Sequence, residues 1–431
     1  MFIDRPDAGT RAILVDVQFT SGDQVPQTER IREACELIQS AGISVDDTIV
    51  ASRKSPSSKT YVGSGKVEEI GASLEDNDAD LVIFNHELSP GQQRNLEGEF
   101  ECQVLTRTEL ILDIFAQRAR THEGQLQVEL AQVSHAQSRL VRGWSHLDRQ
   151  KGGIGLRGAG ETQIEMDQRL LAARLANIKK RLMAVQQQRK QSRQKRAKAE
   201  IPTVALVGYT NAGKSTLFNQ LTNAEVYVKD QLFATLDPTL RRITIPGVGE
   251  VVLADTVGFI RDLPHGLVDA FKATLEEVVS ADLLLHVVDC SADYLEDRKN
   301  SVLSVLEEIG ASKRPILEVY NKTDLADAGY STEHDESGDV VLVGVSAISS
   351  ELSSQLIDAI GQRLGVGQTV VPVLLEPSAG RVRSWLYDIG AVVDEQVESD
   401  GKLALNVRVN KTGYARLQQE AGVMLQNSGT Q

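Results

Sequence analysis

The run Gly208-Tyr209-Thr210-Asn211-Ala212-Gly213-Lys214-Ser215-Thr216 constrains this chain more than any other stretch, because its spacing suits one local fold. Apolar, partly β-branched residues 203–207 precede it and residues 217–221 follow with helical spacing, so its glycines fall at a strand-to-helix turn. In that setting the run reads as a phosphate-binding loop. Gly208 and Gly213 let the backbone curl until successive N–H groups face inward. Lys214 brings a point charge to the outer phosphates, and the Ser215 hydroxyl suits Mg²⁺. A turn with no ligand is the plainer alternative, and the flanking strand and helix argue against it.

Four more elements follow in order. Residues 232–239 break helical periodicity and read as a loop carrying Phe233, Ala234 and Thr235; Thr235 is the candidate hydroxyl for Mg²⁺ and the γ-phosphate, with Thr239 as the alternative. A strand at 251–254 then delivers Asp255-Thr256-Val257-Gly258. An acid at a strand end holds a metal through its water shell, and a glycine three residues on can give its N–H to the γ-phosphate. Losing that phosphate releases both loops, which makes a switch. A strand at 316–320 leads to Asn321-Lys322-Thr323-Asp324. The Asp324 carboxylate can accept from two N–H groups of guanine, whereas adenine offers no matching pair; a polar site that loses its partner discriminates by about 10⁴ to 10⁵. Ser346 and Ala347, after a strand at 340–345, offer backbone N–H groups to the guanine oxygen. The set points to GTP over ATP, with Lys214, Thr235 and Gly258 as the catalytic candidates. Phe259 stands where Ras-type enzymes place a glutamine and can neither orient nor deprotonate water, which predicts slow hydrolysis until a partner orders the loops. Asn211 resembles the asparagine of potassium-stimulated GTPases, which adds K⁺ as a candidate ion.

At 431 residues the chain has room for about three domains. Residues 12–120 alternate short apolar strands (13–19, 48–52, 81–84, 103–105) with helical segments, the pattern of a parallel, doubly wound sheet. The turn Tyr61-Val62-Gly63-Ser64-Gly65-Lys66 opens a helix, but lacks the spacing of either nucleotide fingerprint. A structural turn or a contact to another macromolecule is favoured there over a second nucleotide site.

Leu126, Leu130, Val133, Gln137, Leu140 and Trp144 step by 4, 3, 4, 3 and 4, and Leu171, Leu175, Ile178, Leu182 and Val185 by 4, 3, 4 and 3. Both are heptad seams, which predicts an antiparallel hairpin with arms about 30 Å long. Its glycine-rich tip, 149–161, places Arg149, Lys151 and Arg157 among five glycines, so cations and backbone amides can both approach phosphates. A passive linker is the plainer reading; it would be polar and serine-rich.

The net charge of −14 hides an asymmetry: residues 102–199 carry 19 Lys and Arg against 8 Asp and Glu. A basic centre between acidic ends is a better sign of a nucleic-acid partner than the overall balance. Part of that charge is the solvated face of a helix, the commoner cause of such runs. Cys35, Cys102 and Cys290 have no metal or redox spacing, and neither a leader nor a membrane span is visible, so a reducing cytoplasm is expected. The boundaries expected are 1–120, a parallel α/β domain; 121–199, the hairpin; 200–365, a P-loop GTPase domain; and 366–431, a small α/β domain.

The strings at 208–215, 233–239 and 255–260, with 110–124 and 152–162 upstream, resemble the HflX family, translation-factor-class GTPases related to the Obg group. The resemblance implies a GTPase that binds the large ribosomal subunit, through rRNA and ribosomal proteins, and splits stalled or idle ribosomes in stress. The hairpin would reach towards the peptidyl-transferase region, and family members link the N-terminal domain to ATP-dependent RNA remodelling. Carried over by position, Lys214, Ser215, Thr235, Asp255, Gly258, Asn321 and Asp324 take the GTP and Mg²⁺ roles. Residues 348–351, Ile-Ser-Ser-Glu, lack the glycines usual after Ala347. A tRNA-modifying GTPase would need a cofactor pocket or catalytic cysteine, and a GTP-gated adaptor a lipidation motif; neither is visible. A monomer without stable membrane association is expected.

Overall fold

The computed structural model describes residues 9–20, 25–148, 159–198, 201–222, 231–262, 275–326, 331–349, 353–365, 369–388, 391–398, 401–409, 414, 416–418, 420 and 422–425. Strands β1 (Arg11–Phe19), β2 (Ser44–Arg53), β3 (Leu81–Phe84) and β4 (Gln103–Thr106) form a sheet in the order β2-β1-β3-β4, parallel throughout. The alternating pattern dictates this, since each strand returns through a helix. Helices α1 (Gln27–Ser40) and α4 (Arg107–Arg118) cover one face with Leu37, Ile38 and Ile111; α2 (Ser64–Asn77) and α3 (Pro90–Phe100) cover the other with Ile70, Leu74 and Leu96. Strand β2 starts four residues before the apolar run announces it, because it is an edge strand whose first residues face solvent. The turn before α2 is held by its own bonds: Ser57 and Tyr61 pair as an isolated bridge, the Thr60 hydroxyl donates to Val62 O at 2.9 Å, and Lys66 pairs with Glu69.

Helices α5 (His122–Asp148) and α6 (Ala159–Lys198) form the hairpin. Leu126 and Val133 pack against Leu175, Ile178 and Leu182, with Leu130 and Leu171 at the margins. Glu129 meets Arg174 and His122 meets Arg181, so the partner number falls as the first rises and the helices run antiparallel. The arms are longer than the heptads suggest. With 27 and 40 residues they span about 40 and 60 Å, not 30. One cause is that α5 serves two partners: Val128 and Ala131 join the core of the first sheet, and Arg139 donates to Leu88 O at 3.3 Å. The second helix begins at Ala159, inside the stretch expected as loop. Arg149, Lys151 and Arg157 lie outside the described residues.

Strands β5 (Thr203–Gly208), β6 (Thr239–Ile245), β7 (Gly249–Asp255), β8 (Leu283–Asp289), β9 (Ile316–Asn321), β10 (Glu333–His334) and β11 (Val340–Gly344) make a sheet in the order β10-β11-β9-β8-β5-β7-β6. Only its outer strands β6 and β10 are antiparallel to their neighbours. The central β5 is buried at every position, which explains its uninterrupted apolar run. Helices α7 (Lys214–Thr222), α8 (Leu295–Glu308) and α9 (Ser353–Gly365) follow β5, β8 and β11. Beyond them β12 (Thr369–Leu375), β13 (Val392–Val397), β14 (Leu403–Val409) and β15 (Val423–Leu425) form an antiparallel sheet. Val382 and Leu386 of α10 (Gly380–Asp388) share its core. Among the described residues no helix is long and apolar enough to cross a membrane.

Candidate nucleotide site

The turn from β5 to α7 lies at the carboxyl ends of parallel strands, where open α/β sheets place their ligands. Gly213 has φ +89°, and a side chain there would strike the Asn321 amide, so glycine is required twice over. Lys214 is buried, its Nζ donating to Gly208 O at 3.1 Å and Tyr209 O at 2.7 Å. Burial lowers its pKa to about 8, against the pull of Asp255.

Three oxygens from three elements converge beside it. Ser215 Oγ is 2.7 Å from Thr235 Oγ1, and both hydroxyls donate to Asp255 Oδ2, at 2.7 and 3.0 Å. Burial pushes the Asp255 carboxyl up, partly offset by these bonds and by Lys214. Its other oxygen, Oδ1, is buried with no hydrogen-bond partner. A hard, all-oxygen donor set containing an orphaned carboxylate oxygen fits Mg²⁺. Thr239, the alternative to Thr235, opens β6 and pairs there with Asp255 through the backbone.

Gly258 lies against the phosphate loop, where an added Cβ would be 2.9 Å from Thr210 Cα and 3.0 Å from Lys214 Nζ. Phe259 zips the two segments together: Thr210 N–H donates to its carbonyl at 2.7 Å and its N–H donates to Gly208 O at 3.1 Å. Its ring is buried in the core, away from any attacking water. Thr256 is likewise turned inward, its hydroxyl donating to Leu206 O at 2.5 Å.

On the opposite side, Asn321 donates to Ala212 O at 2.8 Å and accepts the Ala347 N–H at 2.9 Å. Its side chain therefore braces the phosphate loop against the segment after β11. Ser346 Oγ donates to Asp324 Oδ1 at 2.5 Å, Thr323 N–H and hydroxyl both donate to Val345 O, and Lys322 pairs with Asp289 at 2.7 Å. Thr210, Asn211, Gly213, Lys214, Ser215, Thr216, Phe233, Ala234, Thr235, Thr256 and Gly258 line one pocket. Asn321, Asp324, Ser346 and Ala347 do not line it; they are bonded to one another in pairs, and Asn321 ties them to the phosphate loop at Ala212.

Sequence reasoning missed how far this pocket is built by the first sheet. The Tyr209 side chain leaves the site altogether: its hydroxyl donates to Glu33 of α1 and accepts the Arg261 N–H at 2.9 Å. Burial, then the adjacent Glu33 carboxylate, raise its pKa, which keeps the phenol neutral. Glu33 is also bonded by Arg107, whose guanidinium reaches Arg261 O at 3.2 Å, and Arg298 of α8 pairs with Glu29. One signal was readable: Glu29 and Glu33, four apart, share the α1 face carrying Leu37, and acids on a buried face need cationic or donor partners.

Family models match the chain in series: a GTP-binding GTPase N-terminal region at 28–116, its middle region at 118–196, a 50S ribosome-binding GTPase domain at 203–322 and an HflX C-terminal domain at 333–429. The GTPase HflX of Escherichia coli (strain K12) is 52% identical over 96% of this chain and 97% of its own length. That of Magnetococcus marinus is 45% identical over 97% and 96%. Among solved structures, a GTP-binding protein from Sulfolobus solfataricus in complex with GDP is 25% identical, covering 82% of this chain and 99% of that one, with a TM-score of 0.44.

Proposed function

Because the chain belongs to the HflX family of GTPases and so hydrolyses GTP to GDP and phosphate, we propose that it binds the large ribosomal subunit and dissociates stalled or idle ribosomes, association being set by the bound nucleotide. One observation carries the reading. The loop bearing Thr235 is bonded on both sides to parts of the chain outside its own sheet, and one of these is the root of the basic hairpin. The description of the model matched at 203–322, a 50S ribosome-binding GTPase, supports the choice of partner.

In this reading the backbone amides of 211–216 and the Lys214 amine hold the phosphates, and Gly258 gives its N–H to the γ-phosphate. Ser215, Thr235 and Asp255 would hold Mg²⁺, which neutralises charge on the β- and γ-phosphate oxygens when bound. Asp324 selects guanine, with Asn321 fixing the distance from base to phosphates and the Ser346–Ala347 backbone facing the guanine oxygen. The Phe259 ring offers nothing to the attacking water, so hydrolysis is slow until a ribosomal group orders the loop. Asn211 suits K⁺, and faster turnover in KCl than in NaCl at equal ionic strength is the expected sign. Arg149, Lys151 and Arg157, with the cations of α6, are the proposed partners of rRNA phosphates, and the protein works as a cytoplasmic monomer.

Sedimentation with purified large subunits is expected to recover the protein with a non-hydrolysable GTP analogue and far less with GDP. Equal recovery with both nucleotides sinks the switch. Replacing Arg149, Lys151 and Arg157 by alanine should abolish splitting of intact ribosomes, read by light scattering, while GTP affinity stays unchanged.

A further inference from the structure

Thr235 sits within a loop, 231–237, whose two flanks are held by different parts of the chain. Upstream, Arg118 donates to Gln231 Oε1 at 2.6 Å, the Leu232 N–H donates to Ser40 Oγ at 3.0 Å, and the Phe233 ring meets Phe115 edge-on with centroids 4.6 Å apart. Downstream, the Asp237 carboxylate accepts the backbone N–H groups of Arg120 at 3.0 Å and Thr121 at 2.9 Å, and the Thr121 hydroxyl as well. The same Thr121 oxygen accepts the Gly124 N–H at 3.0 Å, so Thr121 caps α5. Asp237 thus lies at the positive end of the first hairpin helix, where unpaired N–H groups and the helix dipole favour a carboxylate. Gly124 is explained by the same contact: a Cβ there would collide with Asp237 Oδ1.

We propose that Asp237 is a positioning residue for the triphosphate step: by fastening the downstream flank of the loop to the start of α5, it keeps the Thr235 hydroxyl at Ser215 and Asp255 and passes any displacement of Thr235 to the hairpin. The inference rests on the reading of Thr235 as the hydroxyl that senses the γ-phosphate. Coupling of this kind is reciprocal: whatever the anchored loop adds to triphosphate binding, triphosphate adds to the order of the first turn of α5. GDP, with no γ-phosphate for Thr235 to reach, gains nothing from the anchor.

The test uses the full chain with Mg²⁺, as wild type, Asp237→Ala and Gly124→Val; the last displaces the Asp237 carboxylate while leaving the loop's own sequence intact. Affinity for a non-hydrolysable GTP analogue should fall about tenfold in both variants, the size of a lost helix cap, while GDP affinity stays within about twofold and reports an intact fold. Amide hydrogen exchange over 120–130 should be slower with the analogue than with GDP in the wild type, and indifferent to nucleotide in both variants. Asp237→Asn, which keeps an acceptor oxygen, should restore most of the difference. Equal losses for the two nucleotides, or wild-type exchange at 120–130 that ignores nucleotide, overturns the proposal. Wild-type protein that bound no guanine nucleotide would overturn the reading beneath it, an outcome distinct from the others.

Discussion

The two halves of the candidate nucleotide site are fastened in opposite ways. At the base end the braces found among the described residues come from within the seven-stranded sheet and its loops: Asn321 to Ala212 and Ala347, Ser346 to Asp324, Thr323 to Val345. At the phosphate end the loop around Thr235 is fastened to Ser40, Phe115, Arg118 and Thr121, all of which precede the phosphate loop in the chain. The contrast separates two tasks. In the proposed reading, choosing guanine needs a rigid corner indifferent to what the rest of the molecule is doing. Telling GTP from GDP is useful only if another part of the molecule notices, so the reporting loop is shared with that part.

The largest effect that tests this division is at the base end. Asp324→Asn should lower affinity for GTP and GDP together, on the order of 10⁴-fold, and gain xanthine nucleotides, because the amide presents a donor to the base. Calorimetric titration with both nucleotides reads it, and a loss confined to GTP would break the comparison. Next in size is the response to pH. Below about 8 the Lys214 amine is already protonated, so nucleotide affinity should be flat; above it, binding must also take up a proton, and affinity should fall by up to about tenfold per pH unit. Fluorescent GDP titrated between pH 7 and 9.5 measures this, and an affinity unchanged to pH 9.5 would remove Lys214 from the phosphates. The smallest effect probes the upstream flank. Phe115→Ala removes an edge-on aromatic contact worth ~0.5–1.5 kcal/mol beyond its area, which should weaken binding of a GTP analogue roughly threefold to tenfold. GDP affinity should not follow; if it does, the loop is part of a common grip and the two ends are not separate.

The base end was almost fully legible in the sequence, because its residues fall at the ends of short apolar strands that announce themselves by composition. The strand expected at 316–320 and the run Asn321–Asp324 needed nothing from elsewhere in the chain. The sequence favours Thr235 with Thr239 as the alternative, and the convergence of the Thr235 hydroxyl on Ser215 and Asp255 supports that preference. The fastening at the phosphate end was hidden, since Asp237 and Thr121 lie 116 residues apart and no local period links them. Tyr209 reads as an ordinary phosphate-loop residue until its hydroxyl is found on Glu33, 176 positions away. The hairpin was read from its seam, but the seam is only the part where two helices touch. The extra length of α5 is spent on the first sheet, which leaves no heptad mark.

Asn321 carries a consequence for how such a pocket can change over generations. Its one amide group joins the base corner to the phosphate loop, so a substitution there disturbs both at once. Among the described residues, Asp324 is bonded within the base corner, by Ser346. If Asp324 selects the base as proposed, the nucleobase a descendant accepts is open to revision by a single exchange at 324, while 321 is locked by having two obligations. A lineage could exchange its nucleotide without renegotiating its timing.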